Sequence, residues 1–501
     1  MVVHEPVERE FLTRLDHIAP HGLGLSVDVY SPDLGSLLGM LRQRQVFPDY
    51  LEVFRASPQA LATVKAHAGG CPLPYHGEGL WLTEAGACEA PLFRQEVRET
   101  ARHLSILGSA WLTHECATKF IAGYSFGTYV PPLYTREGAA VVAENALAVQ
   151  AIVDHDCCLA SGGAPLLLLE MPPLTYFVAG TIPIPTFFRM ITDTVPCGLV
   201  LDVGHVWTVF RYSGAWRTMD LHQFVGEFIE AFPLHRVVQI HVAGLDIHES
   251  ERERHTVRLS DGTIGGQDGN DYSPLPALVD THGAPIPSFL FEILDQILAD
   301  PRLTNLRGLA LEVDTKPIPL ITQEFAAFKE RYAGVCSRMW PANRSSLKGQ
   351  KKEGAIADNR LCCSHEAVAS AYEQYARVLA GQAEPDGADW TGSTAYHEEL
   401  DRYRLVYLPY EILSWGGDVR AMFPRSCKRL DERGLSLEAF VSFWLSHPRP
   451  IDGPYDFFLV KIVKFVEFVS QVAPDLIEMT HEEAKELRLA YDHANAVPAP
   501  A

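Results

Sequence analysis

Nine histidine, aspartate and glutamate residues lie at or just after the ends of apolar segments of the chain. They are His76 in PLPYHG, His114 in WLTHE, Glu170 in LLLLE, Asp202 and His205 in GLVLDVGH, His241 in VVQIH, Asp280 and His282 in LVDTHG, and Glu312 in LALE. A single residue in such a place is more often a hydrogen-bonded structural residue than a ligand. Nine residues in the same relation to their segments predict one shared site.

The chemistry of such a site follows from its donor atoms. Four carboxylates brought into one cavity repel each other, and burial raises their pKa values. Bound divalent cations remove that conflict. Imidazole and carboxylate donors without cysteine suit iron, manganese or zinc. Nine ligands exceed the needs of one ion, so the pattern indicates two or three ions.

The apolar segments themselves predict the element that positions these residues. They are bounded by Gly, Pro or polar residues, several are apolar on both faces, and helical patterns separate them, as in parallel strands covered by helices. Eight strands with crossovers predict a TIM-like (β/α)8 barrel, whose active site lies at the carboxyl ends of the strands. A Rossmann-type sheet is the alternative, but no G-x-G-x-x-G follows the first strand. The candidate strands are Leu23–Asp28, Tyr50–Phe54, Leu73–His76, Trp111–His114, Pro165–Glu170, Gly198–Asp202, Val237–His241 and Leu309–Val313.

The last third of the chain has a different pattern. The polar stretch SSLKGQKKEGAIADN, residues 345–359, is typical of a linker. We therefore expect an α/β fold with a catalytic barrel over residues 1–340, a linker over 341–359 and a smaller, mainly helical domain over 360–501. Helical spacing is found in Cys362–Leu379, Tyr396–Phe423, Leu437–Leu445 and Phe457–Val472.

Composition narrows the classes of function. The 42 Lys and Arg residues against 63 Asp and Glu residues give a net charge of −21, which disfavours nucleic acid and anionic membranes as partners. The ten Cys include two adjacent pairs and no C-x-x-C spacing, which fits a reducing compartment. No signal peptide and no stretch of 18 apolar residues are found, so we expect a cytoplasmic protein without a membrane partner.

Residues 20–320 resemble the multinuclear non-heme iron-dependent oxidative enzymes. The similar segments occur in the order of that family: GLGLSVDVYSP, DYLEVF, PYHGEGLWLT, WLTHE, YVPPLYTREGAAVVAENALAVQ, LLLLEMP, LVLDVGHVW, VVQIHVAG, VDTHGAPI and LALEVDTKPI. The resemblance implies a TIM-like barrel with two or three irons of mixed valence, and O2 chemistry on a cysteine of a ribosomally synthesised precursor peptide.

The resemblance also implies roles for single residues. The metal positions of the family fall on His76, His114, Glu170, Asp202, His205, His241, Asp280, His282 and Glu312. Among these, Glu170, Asp202, His241 and Glu312 are expected to be catalytic, and Glu170 is the expected bridging carboxylate. The family usually has Asn at the position of His205, and a second His where this chain has Leu245. The metal occupancy of the site can therefore differ from that of the family.

The C-terminal region resembles the separate partner proteins of these enzymes. The segments are YHEELDRYRLVYLPYEILSWGGDVRAMFPRSCKRL, LEAFVSFWLSHPRPIDGPY and FVEFVSQ. The chain is then a fusion of enzyme and partner, which removes the need for a separate partner protein. A helical domain that simply packs on the barrel is the alternative.

We therefore expect an iron- and O2-dependent oxidase or oxygenase that modifies a peptidyl cysteine. The main alternative is a divalent-metal isomerase or hydrolase of the xylose-isomerase-like barrel class, because D-x-x-H and D-x-H motifs fit that chemistry too. A metal-storage or scaffold protein is a third, non-catalytic alternative.

Overall fold

The computed structural model of the chain describes residues 5–250, 275–339, 364–385, 394–449, 453 and 455–496. The predicted linker over 341–359 and the predicted domain boundaries at 340 and 360 lie outside the described residues, so they stay predictions. Cys362, where one helix is predicted to begin, lies outside them as well.

Twelve strands are found in the described residues, and all eight predicted strands are among them. They are β1 (Gly22–Val27), β2 (Tyr50–Phe54), β3 (Tyr75–Gly77), β4 (Trp111–Glu115), β5 (Thr118–Ile121), β6 (Tyr124–Val130), β7 (Leu166–Glu170), β8 (Gly198–Asp202), β9 (Val237–Val242), β10 (Leu245–Ile247), β11 (Leu278–Asp280) and β12 (Gly308–Glu312).

Eight of these strands close into a parallel barrel, which confirms the predicted fold class. Around the barrel the order is β1, β2, β3, β4, β7, β8, β9 and β12, with β12 pairing back to β1. The strands are buried along almost their whole length, as strands covered by helices on the outside must be. The covering helices are Leu34–Gln43, Pro58–His67, Pro91–Leu107, Arg136–Asp156, Ile184–Thr192, Val203–Tyr212, Leu221–Ala231, Ser288–Leu298 and Ile318–Met339. The helix Glu5–Leu15 belongs to a second apolar cluster, in which Phe11 and Leu15 pack with Leu166, Leu168 and Val200.

Strand register brings the predicted site residues to one end of the barrel. Glu170 at the end of β7 is level with Glu115 at the end of β4. In the same way Asp202 at the end of β8 is level with His241 on β9. Ser26 on β1 lies level with both Glu52 on β2 and Glu312 on β12. Residues far apart in sequence therefore come close to each other toward the carboxyl end of the barrel.

A hairpin and a second antiparallel strand pair extend from this end of the barrel, and the sequence pattern did not predict either. Strands β5 and β6 pair antiparallel directly after β4, and β10 pairs with β11 after β9. The β5–β6 turn is made by Ala122 (φ 49°) and Gly123 (φ 85°). Two residues with positive φ form the type of tight turn that matches strand twist. Segments of three to seven residues next to a strand end carry too little periodicity to be recognised.

The C-terminal region is helical, as predicted. Leu437–Leu445 and Phe457–Val472 match the predicted spans, whereas the stretch predicted over Tyr396–Phe423 is interrupted at Gly416 and Gly417, which have φ of +65° and +119°. The final helix was not predicted. The helices are His365–Leu379, Thr394–Arg402, a π-helical turn Tyr403–Tyr407, Leu408–Ser414, Val419–Met422, Pro424–Glu432, Leu437–Leu445, Phe457–Val472 and Ile477–Ala496.

Buried apolar side chains of the barrel and of the C-terminal region form one continuous cluster. It runs from barrel residues such as Leu25 and Leu169 to Trp444 and Phe465. The C-terminal helices therefore pack on the barrel by the burial of apolar surface. In the part of the chain that the structure covers, no helix combines the length and apolar composition needed to cross a bilayer.

Candidate metal centre

Glu170 is at the centre of the cluster at the carboxyl end of the barrel. It ends β7, and its side chain is 1% exposed. Its two carboxylate oxygens face different histidines, since Oε2 lies 3.1 Å from His76 Nε2 and Oε1 lies 3.1 Å from His241 Nδ1. One carboxylate thus joins two imidazoles on β3 and β9.

Glu312 extends the cluster in a similar way. Its Oε1 lies 3.1 Å from His241 Nδ1, and its Oε2 lies 3.2 Å from His282 Nε2. The ring of His282 also contacts Asp280 Oδ2 at 3.0 Å, and its Nδ1 bonds Asp314. Contacts of hydrogen-bond length therefore connect residues of β9, β11 and β12, and of the loops after β11 and β12, at the barrel mouth.

His205 and Asp202 form the far side of the cluster. Asp202 caps the helix Val203–Tyr212, because its Oδ1 accepts the His205 backbone N–H at 2.9 Å. His205 Nδ1 lies 2.6 Å from the carbonyl oxygen of Met171, which fixes Nδ1 as the N–H donor. In the neutral ring the lone pair is therefore on His205 Nε2, which lies 3.4 Å from Asp280 Oδ2.

His114 is the one predicted ligand whose ring nitrogens both have backbone partners. Its Nδ1 contacts the Glu115 carbonyl oxygen at 2.7 Å, and its Nε2 accepts the Leu80 N–H at 3.1 Å. Burial lowers the pKa of His114 to about 4, so its ring is neutral at neutral pH. The other eight predicted residues are connected to one another in one network of contacts. His114 lies next to this network and bonds to the backbone instead.

Three carboxylates near the cluster were missed by the sequence analysis. Glu52 lies within β2 and contacts His241, Asp314 contacts His282, and Glu115 lies level with Glu170. Two of them had a visible signal: Glu52 interrupts the apolar segment YLEVF, and Glu115 directly follows His114. A search confined to the last residue of each predicted strand overlooks both positions, because the predicted strand over Trp111–His114 stops one residue before Glu115.

Burial and the close approach of carboxylates and imidazoles shift the pKa values of the cluster. Burial raises the pKa of Asp202 to about 7 and that of Glu115 to about 8. Burial alone would lower the pKa of His76, but the hydrogen bond and charge of Glu170 outweigh it and raise this pKa to about 9. Against the same effect of burial, neighbouring carboxylates raise the pKa values of His205 and His241 well above the ordinary value. Protons therefore reduce the repulsion between neighbouring carboxylates of the cluster. Bound metal cations can take the place of these protons.

The donor set fits metal ions. Four buried polar atoms of the cluster have no hydrogen-bond partner among the described residues, namely Asp202 Oδ2, Asp280 Oδ1, His205 Nε2 and His241 Nε2. One ligand atom each from Glu52, His241 and Glu312 also lies within 4.8 Å of the others. Buried polar atoms without a hydrogen-bond partner destabilise the folded chain unless another group, such as a metal ion, binds them. Nitrogen and oxygen donors without sulfur suit iron, manganese or zinc.

A closed parallel barrel with imidazoles and carboxylates gathered at the carboxyl ends of its strands defines a metal-dependent (β/α)8 enzyme. Residues 20–331 match the model of the RiPP precursor modification enzymes MbnB/TglH/ChrH. The chain therefore belongs to this family, whose members modify the precursors of ribosomally synthesised and post-translationally modified peptides.

The chain is also similar to curated proteins, at low sequence identity. The chain is 25% identical over 199 residues to a UPF0276 protein of Paraburkholderia phytofirmans, covering 39% of this chain and 55% of that protein. It is 22% identical over 274 residues to a UPF0276 protein of Caulobacter vibrioides, covering 55% and 80%. The chain thus spans about half the length of the first of these relatives.

Solved structures with a similar barrel include endonuclease IV from Thermus thermophilus, with a TM-score of 0.36, 18% identity, and coverage of 62% of this chain and 99% of that one. Another is the 3-keto-D-glucoside 4-epimerase from E. coli, with a TM-score of 0.34, 13% identity, and coverage of 62% and 98%. Likeness at this level says nothing about activity.

Proposed function

We propose that this chain is an iron- and O2-dependent enzyme that oxidatively modifies a cysteine in a ribosomally synthesised precursor peptide. The observation that carries the proposal is the position of Glu170 between His76 and His241, with an oxygen 3.1 Å from each. A carboxylate that faces two separate imidazoles is suited to bridge two ions. Family membership over residues 20–331 supports a peptide precursor as the substrate.

Two or three ions are proposed to be held by the predicted ligand set. His76 and Glu170 serve one position, and His241 and Glu312 serve a second position that Glu170 shares. The third, weaker position belongs to the residues on the far side of the cluster, namely Asp202, His205, Asp280 and His282. His114 is the ninth proposed ligand, with its neutral ring held at Nδ1, and binding through Nε2 requires release of the Leu80 N–H.

When bound, ferrous iron supplies a site for a thiolate and for O2 and lowers the pKa of the thiol. The protein supplies the surroundings. The barrel strands bury Glu170, Asp202, His241 and Glu312, so these proposed catalytic residues are shielded from bulk water. Burial strengthens every electrostatic interaction inside the site. Ligands held on strand ends are more rigid than ligands held on loops.

The C-terminal region is proposed to act as the fused partner that recruits the peptide. It contacts the β5–β6 hairpin, which leaves the barrel beside the cluster. Trp444 Nε1 donates to the Ser125 carbonyl oxygen at 2.7 Å, and the Arg449 N–H donates to that of Gly123 at 2.8 Å. A surface adjacent to the mouth raises the local concentration of a bound peptide at the metals.

Metal analysis combined with O2 consumption tests the proposal. Protein purified without oxygen should contain two to three irons per chain and consume O2 when a cysteine-containing precursor peptide is added. The same peptide with serine in place of cysteine is the matched control and should give no consumption above background. One zinc per chain with full activity would contradict the proposal and favour the isomerase or hydrolase class.

A further inference from the structure

Glu52 is a carboxylate buried in the interior of the barrel. It is the third residue of β2, and its side chain is 0% exposed. The interior of such a barrel is normally filled by branched apolar side chains. A carboxylate at this depth is costly unless polar groups surround it, so its partners indicate what it does.

Two hydroxyl groups hold the Glu52 carboxylate in place. Ser26 Oγ donates to its Oε2 at 2.9 Å, and Thr113 Oγ1 donates to its Oε1 at 2.8 Å. Thr113 is itself 3.2 Å from Gln239 Oε1, which also accepts the Trp111 Nε1–H at 3.0 Å. This layer of polar side chains below the cluster fixes the Glu52 carboxylate, and each of its oxygens keeps capacity for a further donor.

The third neighbour of Glu52 is His241. Glu52 Oε2 lies 2.8 Å from His241 Nε2, although the two atoms are not aligned as in a linear hydrogen bond. Nε2 has no hydrogen-bond partner elsewhere in the described chain. The opposite nitrogen, Nδ1, lies 3.1 Å from Glu170 Oε1 and 3.1 Å from Glu312 Oε1. The ring therefore has one side toward the proposed ligands and the other toward Glu52.

An imidazole binds a metal through one nitrogen, and its other N–H is commonly donated to a carboxylate that sets the tautomer and the ring orientation. We infer that Glu52 is a positioning residue for His241: it takes the Nε2–H and so leaves the Nδ1 lone pair directed at the metal beside Glu170 and Glu312. This inference rests on the proposed function only in requiring that the cluster binds metal. Glu52 itself touches neither metal nor substrate.

Anaerobic titration of the metal-free full-length chain with Fe2+, and with Co2+ as a spectroscopic probe, tests the inference. Glu52→Gln keeps the volume but removes the charge. Loss of an outer carboxylate of this kind typically weakens metal binding by about 10–100-fold. We expect that loss with an unchanged number of ions, together with a changed Co2+ absorption spectrum. Glu52→Asp, which keeps the charge, should recover part of the affinity.

Two further variants separate positioning from a general loss of structure. Gln150→Met removes a buried amide whose bonds go to Asp154, Pro165 and Leu167 and not to Glu52 or the residues that hold it, so it should lower the thermal midpoint without changing metal affinity. Ser26→Ala leaves the Glu52 charge but loosens it, so a small loss of affinity is expected. This variant keeps the test decisive if Glu52→Gln does not fold.

The results distinguish the alternatives. If Glu52→Gln loses one ion, Glu52 is a ligand together with His241 and Glu312, and the positioning role is wrong. If affinity, stoichiometry and spectrum are all unchanged, the carboxylate only fills the barrel and the inference is also wrong. If the wild-type chain binds no Fe2+ or Co2+, the proposed metal centre itself fails, a result that the variants cannot produce.

Discussion

The hydroxyl group of Tyr455 in the C-terminal region lies 2.8 Å from Ser125 Oγ on the β5–β6 hairpin, 330 residues away in sequence. Thr128 on the same hairpin contacts Tyr407 at 3.0 Å. The hairpin carries Lys119, which pairs with Glu78 at 2.6 Å beside the cluster. The C-terminal region therefore holds an element that borders the proposed metal centre.

Removing the two hydroxyl groups tests how strongly this contact joins the two regions. In a double-mutant cycle of Ser125→Ala and Tyr455→Phe, we expect a coupling energy of about 1 kcal/mol, the net value of a typical hydrogen bond. Chemical denaturation measures it. Ser446→Ala is the control, since its hydroxyl bonds only within its own segment. Additive effects of the two substitutions would mean that the contact does not stabilise the fold.

Deletion of residues 340–501 tests the role of the whole C-terminal region. We expect a folded barrel that keeps its metals but binds precursor peptide weakly, because the partner-like surface is gone. The hairpin over residues 118–130 also loses its bonds to Tyr455 and Trp444, so its amides should exchange faster with deuterium. Adding residues 360–501 in trans should restore part of the turnover. Equal peptide affinity of the full-length and shortened chains would contradict the recruiting role.

Sequence predicted the barrel well because its strands are apolar runs with clear breaks, and the spans of β2 and β8 are correct to the residue. The convergence of His76, Glu170, His241 and Glu312 also follows from their place at strand ends. Such reasoning cannot give contact partners. The bond of His114 to Leu80 depends on how the loop after β3 returns over the barrel, which periodicity does not encode.

Glu52 illustrates a second reason why the sequence analysis missed residues near the site. A carboxylate inside an apolar strand indicates an exposed position on one face, whereas the barrel places it in the interior. Its neighbours Ser26 and Thr113 come from two other strands, so only strand register reveals that they meet. The β5–β6 hairpin was missed because its four- and seven-residue strands lie between a strand and a long helix.

Replacement of Glu170 tests the bridging role. Its two oxygens face His76 and His241 separately, so Glu170→Ala should remove more than one iron per chain, as measured by metal analysis of protein purified without oxygen. The control is Glu483→Ala, a buried carboxylate of the C-terminal region that bonds Ser426 and should affect only stability. Loss of a single ion would show that Glu170 is a terminal ligand.

Two buried lysines predict how stability depends on pH. Burial, with Arg449 nearby, lowers the pKa of Lys464 to about 7, and burial lowers that of Lys461 to about 7. An unfolded lysine has a pKa of about 10.4. Between these pH values the unfolded chain binds more protons, so each lysine makes the free energy of unfolding rise with pH, by at most about 1.4 kcal/mol per unit.

Lys464→Met should reduce the slope of the free energy of unfolding against pH between pH 7 and 9, as measured by denaturation curves. The exposed Lys485→Met serves as control, and an unchanged slope in Lys464→Met would contradict the burial effect.

Substitution of His205 tests the third metal position. Its Nδ1 is held by the Met171 carbonyl oxygen, so only Nε2 is available to a metal. His205→Ala should lose the third ion and keep the other two, because neither His76 nor His241 depends on this ring. His205→Asn should keep activity, since an amide oxygen replaces the imidazole as a weaker ligand, and Asn is the residue that the sequence resemblance implies at this position. His103→Asn removes another buried histidine, one that bonds Tyr75, and should change stability but not metal content. If His205→Ala changes neither the metal content nor the rate, His205 is a structural residue and the third position does not exist.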